Sequence, residues 1–140
     1  MFQERIQRIK NIINDAGADA FVVVNHEESG QPGTQYLSGF SGSESIILVA
    51  KEGKFIFTDG RYYSQVKEEC PSFELVPIGA SSNLDHLVDA CRKLRLEKIG
   101  FDSTTTYHSF VSSFNERLEQ VSLVGMENAL QKIRISKDEE

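Results

Sequence analysis

Histidine and carboxylate side chains are the first candidates for chemistry in this chain. The three histidines are His26, His86 and His108, and none belongs to an H-E-x-x-H pair or another close pair of ligands, so no zinc-type site is indicated. A two-metal hydrolase needs several carboxylates that converge on ions about 3.5 to 4 Å apart. The acidic residues here fall mostly on polar helix faces or in the tail. The sequence therefore predicts no catalytic metal site in this chain.

The sequence does not indicate a serine or cysteine nucleophile either. The segment Gly-Phe-Ser-Gly-Ser at residues 39–43 lacks the spacing of a G-x-S-x-G elbow, and neither a lysine nor a third glycine follows it as a phosphate loop requires. Cys70 and Cys91 have no histidine partner nearby in sequence. Both fall in or at the end of predicted helices, which favours small buried apolar groups over a disulfide. Nucleophilic catalysis and nucleotide binding are thus disfavoured.

Size and composition describe one ordinary globular domain. The chain has 140 residues, of which 39% are hydrophobic and 26% are charged. No apolar run approaches the roughly 20 residues needed to cross a bilayer, and the amino terminus lacks the apolar core of a secretory signal. A net charge of -6 disfavours binding to a phosphate backbone. We expect a cytoplasmic protein with neither a membrane nor a nucleic acid as partner.

Hydrophobic periodicity predicts helices and strands in alternation, which is the pattern of an α/β fold. An uninterrupted apolar run at 20–24 indicates a central strand, covered on both faces. The polar connection at 51–54 predicts an antiparallel hairpin, and Pro77 marks an edge strand. Helices are predicted at 2–13, 60–69, 84–94 and 107–118. Strands are predicted at 20–24, 46–50, 55–58, 73–78, 98–102 and 121–124, giving a mixed six-stranded sheet flanked by helices.

Two motifs flank the predicted hairpin. Residues 36–43 read Tyr-Leu-Ser-Gly-Phe-Ser-Gly-Ser, and residues 58–62 read Thr-Asp-Gly-Arg-Tyr. Together they resemble the YLTGF-x-GS and TDGRY motifs in the amino-terminal domains of the creatinase, prolidase and aminopeptidase P family, and aminopeptidase P is the closest in motif. Ile-Gly-Phe-Asp at 99–102 and the tail at 133–140 resemble the family's IGFD strand and R-x-x-K-D-E-x-E linker. The resemblance spans nearly the whole chain.

The resemblance implies a ribonuclease H-like domain at residues 1–126 and a linker at 127–140. That linker leads into a pita-bread catalytic domain, absent from this chain, where two Asp, one His and two Glu bind a pair of divalent metal ions (Mn, Co or Zn). The implied partners are that catalytic domain, further copies of the enzyme in a homo-oligomer, and proline-containing peptides. Leu130, Ile133 and Ile135 are then expected to pack against the absent domain.

The family role implied for this domain is non-catalytic: it limits which peptides reach the active site and contributes to subunit assembly. His26 lies in a predicted polar loop at 26–34 after the central strand, where α/β sheets present ligand groups, although an ordinary solvated loop is an equal alternative. His86 and His108 are predicted to be surface residues. The candidate substrate-access residues are therefore His26, Tyr36 and Phe40.

The remaining motif residues have a structural interpretation. The two motif glycines are predicted to permit a tight turn, which we favour over direct ligand contact. Asp59 is placed to cap a helix, and Arg61 to pair with a buried carboxylate. The motif residues assigned to structure are Gly39, Gly42, Asp59, Gly60, Arg61 and Tyr62.

Two other functions remain open at this point. A ribonuclease H-like nuclease or phosphotransfer module would use Asp19, Asp59 and Asp102, which all neighbour predicted strands, but the acidic chain lacks the basic stripe of a nucleic-acid binder. A free-standing interaction domain is the other alternative. Within the resembling family, the residues do not separate aminopeptidase P from a dipeptidase or from creatinase, because fold alone does not set the substrate.

Overall fold

The computed structural model describes residues 2–25, 32–104, 106–118 and 120–138. The helices are α1 (Phe2–Asp15), α2 (Pro32–Ser38), α3 (Tyr63–Glu69), α4 (Asn83–Lys93), α5 (His108–Arg117) and α6 (Ala129–Asp138). The strands are β1 (Ala20–Asn25), β2 (Ser45–Ala50), β3 (Lys54–Thr58), β4 (Glu74–Pro77), β5 (Lys98–Asp102) and β6 (Ser122–Met126). The predicted strands match these bounds to within two residues.

One mixed sheet of six strands runs through the fold, in the order β4-β3-β2-β1-β5-β6. The pairs β1–β2 and β2–β3 are antiparallel, and the pairs β3–β4, β1–β5 and β5–β6 are parallel. The predicted antiparallel hairpin and the central position of β1 are therefore confirmed. Pro77 ends β4 at the edge of the sheet, as predicted, where its missing N–H breaks no ladder.

Two apolar cores flank the sheet, because successive side chains of a strand point to opposite faces. In β1, Val22 and Val24 pack in the core formed with α4 and α5, while Phe21 and Val23 pack in the core formed with α1, α2, α3 and α6. All six residues of β1 are buried. The fold is the predicted α/β arrangement of a six-stranded sheet between two helical layers.

Two predicted segments differ from the structure. The helix predicted at 60–69 is a 3₁₀ turn, Gly60–Tyr62, followed by α3, because Tyr62 leaves the helical conformation at φ -118° and ψ 4°. The loop predicted at 26–34 ends earlier, since α2 begins at Pro32, and proline suits a first helical position. His26 lies outside the described residues.

The predicted linker at 127–140 is mostly helical, because α6 occupies most of it. Leu130 and Ile133, at 4% and 3% exposure, are buried in the core that also holds residues of α1 and α2. The expectation that these two residues pack against another domain is therefore wrong, and the side chain of Ile135 lies outside the described part. An amphipathic pattern indicates that one helix face is covered, but it does not identify the surface that covers it.

A buried carboxylate fixes the start of α6. Asp102 is 2% exposed, and its Oδ2 accepts a hydrogen bond of 3.0 Å from the Leu130 backbone N–H. Its Oδ1 accepts another of 2.9 Å from the Thr104 N–H. The Asn128 N–H in turn donates to Thr104 Oγ1. The last residue of β5 thus accepts from the Leu130 N–H, one of the donors that a helix start leaves without an intrahelical partner, and Thr104 accepts from the N–H just before the helix.

Candidate functional site

The two sequence motifs meet in space beside the start of β2. The rings of Phe40 and Tyr62 pack edge to face, with centroids 5.6 Å apart. The hydroxyl groups of Ser43 and Tyr62 lie 2.5 Å apart in a hydrogen bond. The motif before the hairpin and the motif after it therefore form one contiguous unit, which the sequence order alone does not reveal.

A glycine turn, defined here as residues 39–42, links α2 to β2. Gly39 has φ +84°, which favours glycine. A Cβ on Gly42 would lie 2.2 Å from Phe40 Cζ, so only glycine leaves room for that ring. Phe40 is 1% exposed and its N–H donates to Ser38 Oγ. Gly39 thus supports the turn through its backbone and Gly42 through the space it leaves, while the preference for a structural role over ligand contact stays a prediction.

Glu69, at the end of α3, holds the glycine turn from the other side. Its Oε1 accepts 2.8 Å from the Ser41 backbone N–H, and its Oε2 accepts 2.9 Å from the Ser41 hydroxyl. Gln65 donates from Nε2 to both Ser41 Oγ and Glu69 Oε1. On the opposite side of the turn, Asn25 Nδ2 donates 2.9 Å to the Gly42 carbonyl. The turn is thus tied both to α3 and to the carboxyl end of β1.

We expect the bond between Glu69 and Ser41 to weaken in acid. Burial alone would raise the pKa of Glu69, but the hydrogen bonds donated by Ser41 and Gln65 hold that pKa below its ordinary value of 4.5. A lowered folded-state pKa adds stability above the unfolded value, and this stability is lost as the pH falls through the folded value. The amide proton shift of Ser41, followed by NMR from about pH 6 to about pH 2, should change with this titration. A Ser41 step that persists in Glu69→Gln would contradict the assignment.

An ion-pair cluster lies at the carboxyl end of β3. Arg61 donates from Nε to Asp59 Oδ1 at 2.9 Å, and from one terminal nitrogen to Asp59 Oδ2 at 2.9 Å and to Glu44 Oε2 at 3.1 Å. Asp59 Oδ1 also accepts from the Arg61 backbone N–H, so the predicted capping role of Asp59 is confirmed, although the cap serves the 3₁₀ turn. The hydrogen bonds from Arg61 hold the pKa of Asp59 below its ordinary value.

The partners of Arg61 are less buried than predicted. The side chains of Arg61, Asp59 and Glu44 are 53%, 25% and 38% exposed. Ion pairs of this exposure contribute about 0 to 1 kcal/mol to stability. Among the described residues, the two carboxylates that pair with Arg61 are therefore partly exposed and not buried as predicted, because the cluster lies beyond the carboxyl end of β3 rather than in a core.

The other predicted site residues have structural contacts. Tyr36 is half-buried on α2, where the Arg5 guanidinium lies 4.1 Å from its ring centroid and donates 2.7 Å to its carbonyl. Phe40 packs as a core residue, so any influence on access would pass through the turn that it anchors. His108 is exposed and bonds Ser112, whereas His86 is half-buried on α4.

Both cysteines are free and buried, as predicted. Burial raises the pKa of Cys70 to about 11 and that of Cys91 to about 12. Thiols with such values are protonated at neutral pH and react slowly as nucleophiles.

Metal ligands are not assembled in the part of the chain that the structure describes: it holds no group of three or more His, Cys, Asp or Glu that could bind an ion. The three carboxylates of the nuclease alternative lie apart. Asp59 follows β3 and Asp102 ends β5, whereas Asp19 precedes β1 at the opposite edge and accepts from the Glu97 and Lys98 N–H groups. Each carboxylate is engaged in its own local contacts.

A cavity of about 440 Å³ opens at the carboxyl ends of β1, β3 and β4, between the first turns of α4 and α5. Asn25, Glu44 and Asp59 lie in its wall: Asp59 belongs to the second motif, and Glu44 directly follows the first. Sequence reasoning missed Asn25, Glu44 and Glu69. Glu44 directly follows the first motif and Asn25 ends an apolar run, but neither position reveals its partner.

Among the described helices, none is long and apolar enough to span a membrane.

Comparison with known proteins agrees with this geometry. Residues 5–136 match the Creatinase/Prolidase N-terminal domain family. Xaa-Pro aminopeptidase 1 of Dictyostelium discoideum is 26% identical over 155 residues, covering 98% of this chain and 24% of that protein. The Xaa-Pro dipeptidase from Bacillus anthracis superposes with a TM-score of 0.84 at 23% identity, covering 96% of this chain and 36% of that one.

The chain thus spans about a third or less of these two longer proteins. A separately solved domain has nearly the same extent: the N-terminal domain of cytoplasmic peptidase PepQ from Mycobacterium tuberculosis H37Rv. It has a TM-score of 0.79 at 26% identity, with 94% of this chain and 98% of that one covered. The family match extends over the glycine turn, the ion-pair cluster and most of α6. The chain belongs to the creatinase/prolidase N-terminal domain family.

Proposed function

We propose that this chain is the non-catalytic amino-terminal domain of an Xaa-Pro aminopeptidase or dipeptidase, and that it shapes substrate access and subunit assembly. The observation that carries the access role is the hydrogen bond from Asn25 to the glycine turn, because Asn25 immediately precedes His26. Through Ser41, the turn is also bonded to Glu69 on α3. The residue that precedes His26 is thus bonded to the glycine turn, which favours precise placement of the substrate-contacting segment that we propose to follow it.

Catalysis in this proposal belongs to a following domain of the same polypeptide. That domain would hold a pair of divalent metal ions (Mn, Co or Zn), whose chemistry is the activation of a water molecule. No residue described in this chain is assigned to such a centre. We further propose that residues 127–140 lead into that domain, that the full enzyme is a cytoplasmic homo-oligomer, and that its substrates are proline-containing peptides.

Helix α6 would fix the geometry of the connection between this domain and the catalytic domain that we propose to follow it. The first turn of α6 is bonded to Asp102, and the apolar face of the helix is buried against this domain. The following domain would therefore begin at a fixed position and not at the end of a flexible linker. Fixed geometry between the domains is what a substrate filter requires, since the filter acts by sterically excluding peptides from the entrance.

The access role predicts a specific kinetic change in the full-length enzyme. His26→Ala should raise KM and alter the preference for peptide length while kcat changes less, because the lost contact is made in binding and not in the chemical step. Loss of one neutral hydrogen bond weakens binding by about 0.5 to 1.5 kcal/mol, a several-fold effect on KM. Kinetics on an Xaa-Pro dipeptide and on a longer proline peptide provide the measurement.

His86→Ala on α4 is the matched control, since it removes the same side chain at a position outside both motifs. It should leave the ratio of KM values for the two peptides unchanged. Equal profiles for His26→Ala and the wild-type enzyme on both peptides would rule out an access role for His26.

A further inference from the structure

The cavity at the carboxyl edge of the sheet has the size and shape of a small-molecule site. Its volume of about 440 Å³ is within the range of ligand pockets, roughly 300 to 1,000 Å³. Apolar side chains line much of it, among them Ile46, Ile78 and Phe110. Such a cavity, outside the carboxyl ends of strands, is where α/β sheets usually bind ligands. The proposed access role does not use it.

The charged groups in the cavity wall are carboxylates. Glu44 and Asp59 are its charged lining residues, and the described lining includes no lysine or arginine. Asp59 uses both carboxylate oxygens for Arg61, whereas Glu44 uses only Oε2. Among the described residues, none donates a hydrogen bond to Glu44 Oε1. One carboxylate oxygen in the wall therefore remains available to a ligand.

Further acceptors in the wall come from α5. Ser109 and Ser113 line the cavity, and a serine hydroxyl can accept a hydrogen bond. Asn83, in the first turn of α4, also lines the cavity, but its Oδ1 is buried away from solvent, so we assign it no contact with a ligand.

We propose that this cavity binds a small primary amine, in its ammonium form, carried on an apolar body. An ammonium group has three donors and no acceptor, which suits a wall with an unpaired carboxylate oxygen on Glu44 and the hydroxyl-bearing Ser109 and Ser113. The apolar body would lie against Ile46, Ile78 and Phe110. An anion of the same shape is disfavoured, because Glu44 and Asp59 carry two negative charges against the single positive charge of Arg61. The site does not depend on a catalytic domain, so the 140-residue chain should bind by itself.

The test compares three probes that share one apolar body. L-leucinamide carries the ammonium group at about pH 6, because α-amino groups titrate near 7.7 to 8.0. N-acetyl-leucinamide has that nitrogen blocked, and 4-methylpentanoate replaces the ammonium with a carboxylate. In NMR titrations of the ¹⁵N-labelled chain, leucinamide should shift the amides of Ser45, Asn83 and Ser109. The two other probes should bind at least about ten-fold more weakly, as expected for loss of a charge-assisted hydrogen bond.

Glu44→Gln removes the charge and keeps the size of the side chain, and it should weaken leucinamide binding about ten-fold. Glu68→Gln is the matched control, since Glu68 is exposed on α3 outside the cavity wall, and it should have no effect. Ser113→Leu should abolish binding by filling the cavity. The spectrum of each variant reports whether it is folded.

Three results would overturn the proposal. The first is that N-acetyl-leucinamide shifts the same amides with the same midpoint as leucinamide. The second is that leucinamide binds the Glu44→Gln and Glu68→Gln variants equally. The third is that no cavity amide shifts at the highest leucinamide concentration used.

Discussion

Gly42→Ala should lower the free energy of unfolding by about 1 to 3 kcal/mol, the usual cost of overpacking a filled site. The added Cβ would lie 2.2 Å from Phe40 Cζ and 2.7 Å from Phe40 Cε2. The ring cannot retreat easily, because Phe40 is 1% exposed and packs edge to face on Tyr62. Either the ring or the turn must therefore move. Urea unfolding of the 140-residue chain measures the change.

Gly60→Ala is the control for this substitution, since Gly60 belongs to the second motif. A Cβ there would meet only Tyr63 Cε2, at an ordinary contact distance of 3.8 Å. The backbone of Gly60 does not require a positive φ. We therefore expect Gly60→Ala to remain within about 0.5 kcal/mol of the wild type, as for ordinary surface substitutions. If Gly60→Ala costs as much as Gly42→Ala, steric exclusion by Phe40 is not the reason for glycine at position 42.

The structure separates two reasons for glycine within one turn. Gly39 satisfies a backbone requirement through its positive φ, whereas Gly42 satisfies a packing requirement through the absence of a side chain. The turn then receives hydrogen bonds or contacts from β1, α3 and the 3₁₀ turn. Because these elements come from three parts of the chain, the contacts of the turn are complete only in the folded domain.

Most of the fold was predictable because its signals are local. The unbroken apolar run at 20–24 predicted a strand covered on both faces, and Pro77 predicted an edge. The four-residue polar connection predicted the hairpin of β2 and β3. Each of these inferences depends on residues that are neighbours in sequence. Contacts between distant parts of the chain therefore did not change the predicted element.

The polar contacts of the candidate site were not predictable to the same extent. Glu69 lies 28 residues from Ser41, and Asn25 lies 17 residues from Gly42, so no period in the sequence links the partners. Glu69 looks like any polar position on a short helix. The position of α6 was missed for a related reason: its apolar spacing was visible, but the sequence did not show that this domain's own core covers it.

Removal of the Asp102 carboxylate should release α6 while the sheet stays intact. In Asp102→Asn the side chain keeps its size, but one oxygen becomes an NH₂ group that accepts no hydrogen bond, so either Thr104 N–H or Leu130 N–H loses its acceptor. Both contacts support the start of α6, because Thr104 Oγ1 in turn accepts from the Asn128 N–H. Leaving a buried donor without a partner costs about 1 to 3 kcal/mol. Asp102 is 2% exposed, so water does not readily replace the lost acceptor.

Hydrogen exchange measured by NMR should locate this loss in α6. The amides of Lys132 and Ile133 should exchange faster in Asp102→Asn, because opening of α6 becomes easier, while those of Phe21 and Val23 in β1 change less. Asp89→Asn is the control, since Asp89 is exposed on α4 and only approaches Arg92, at 4.0 Å. Unchanged exchange throughout α6 in Asp102→Asn would contradict the prediction. It would show that the helix does not need both acceptor oxygens at position 102, so that one oxygen together with burial of Leu130 and Ile133 is enough to hold the segment that leads out of this domain.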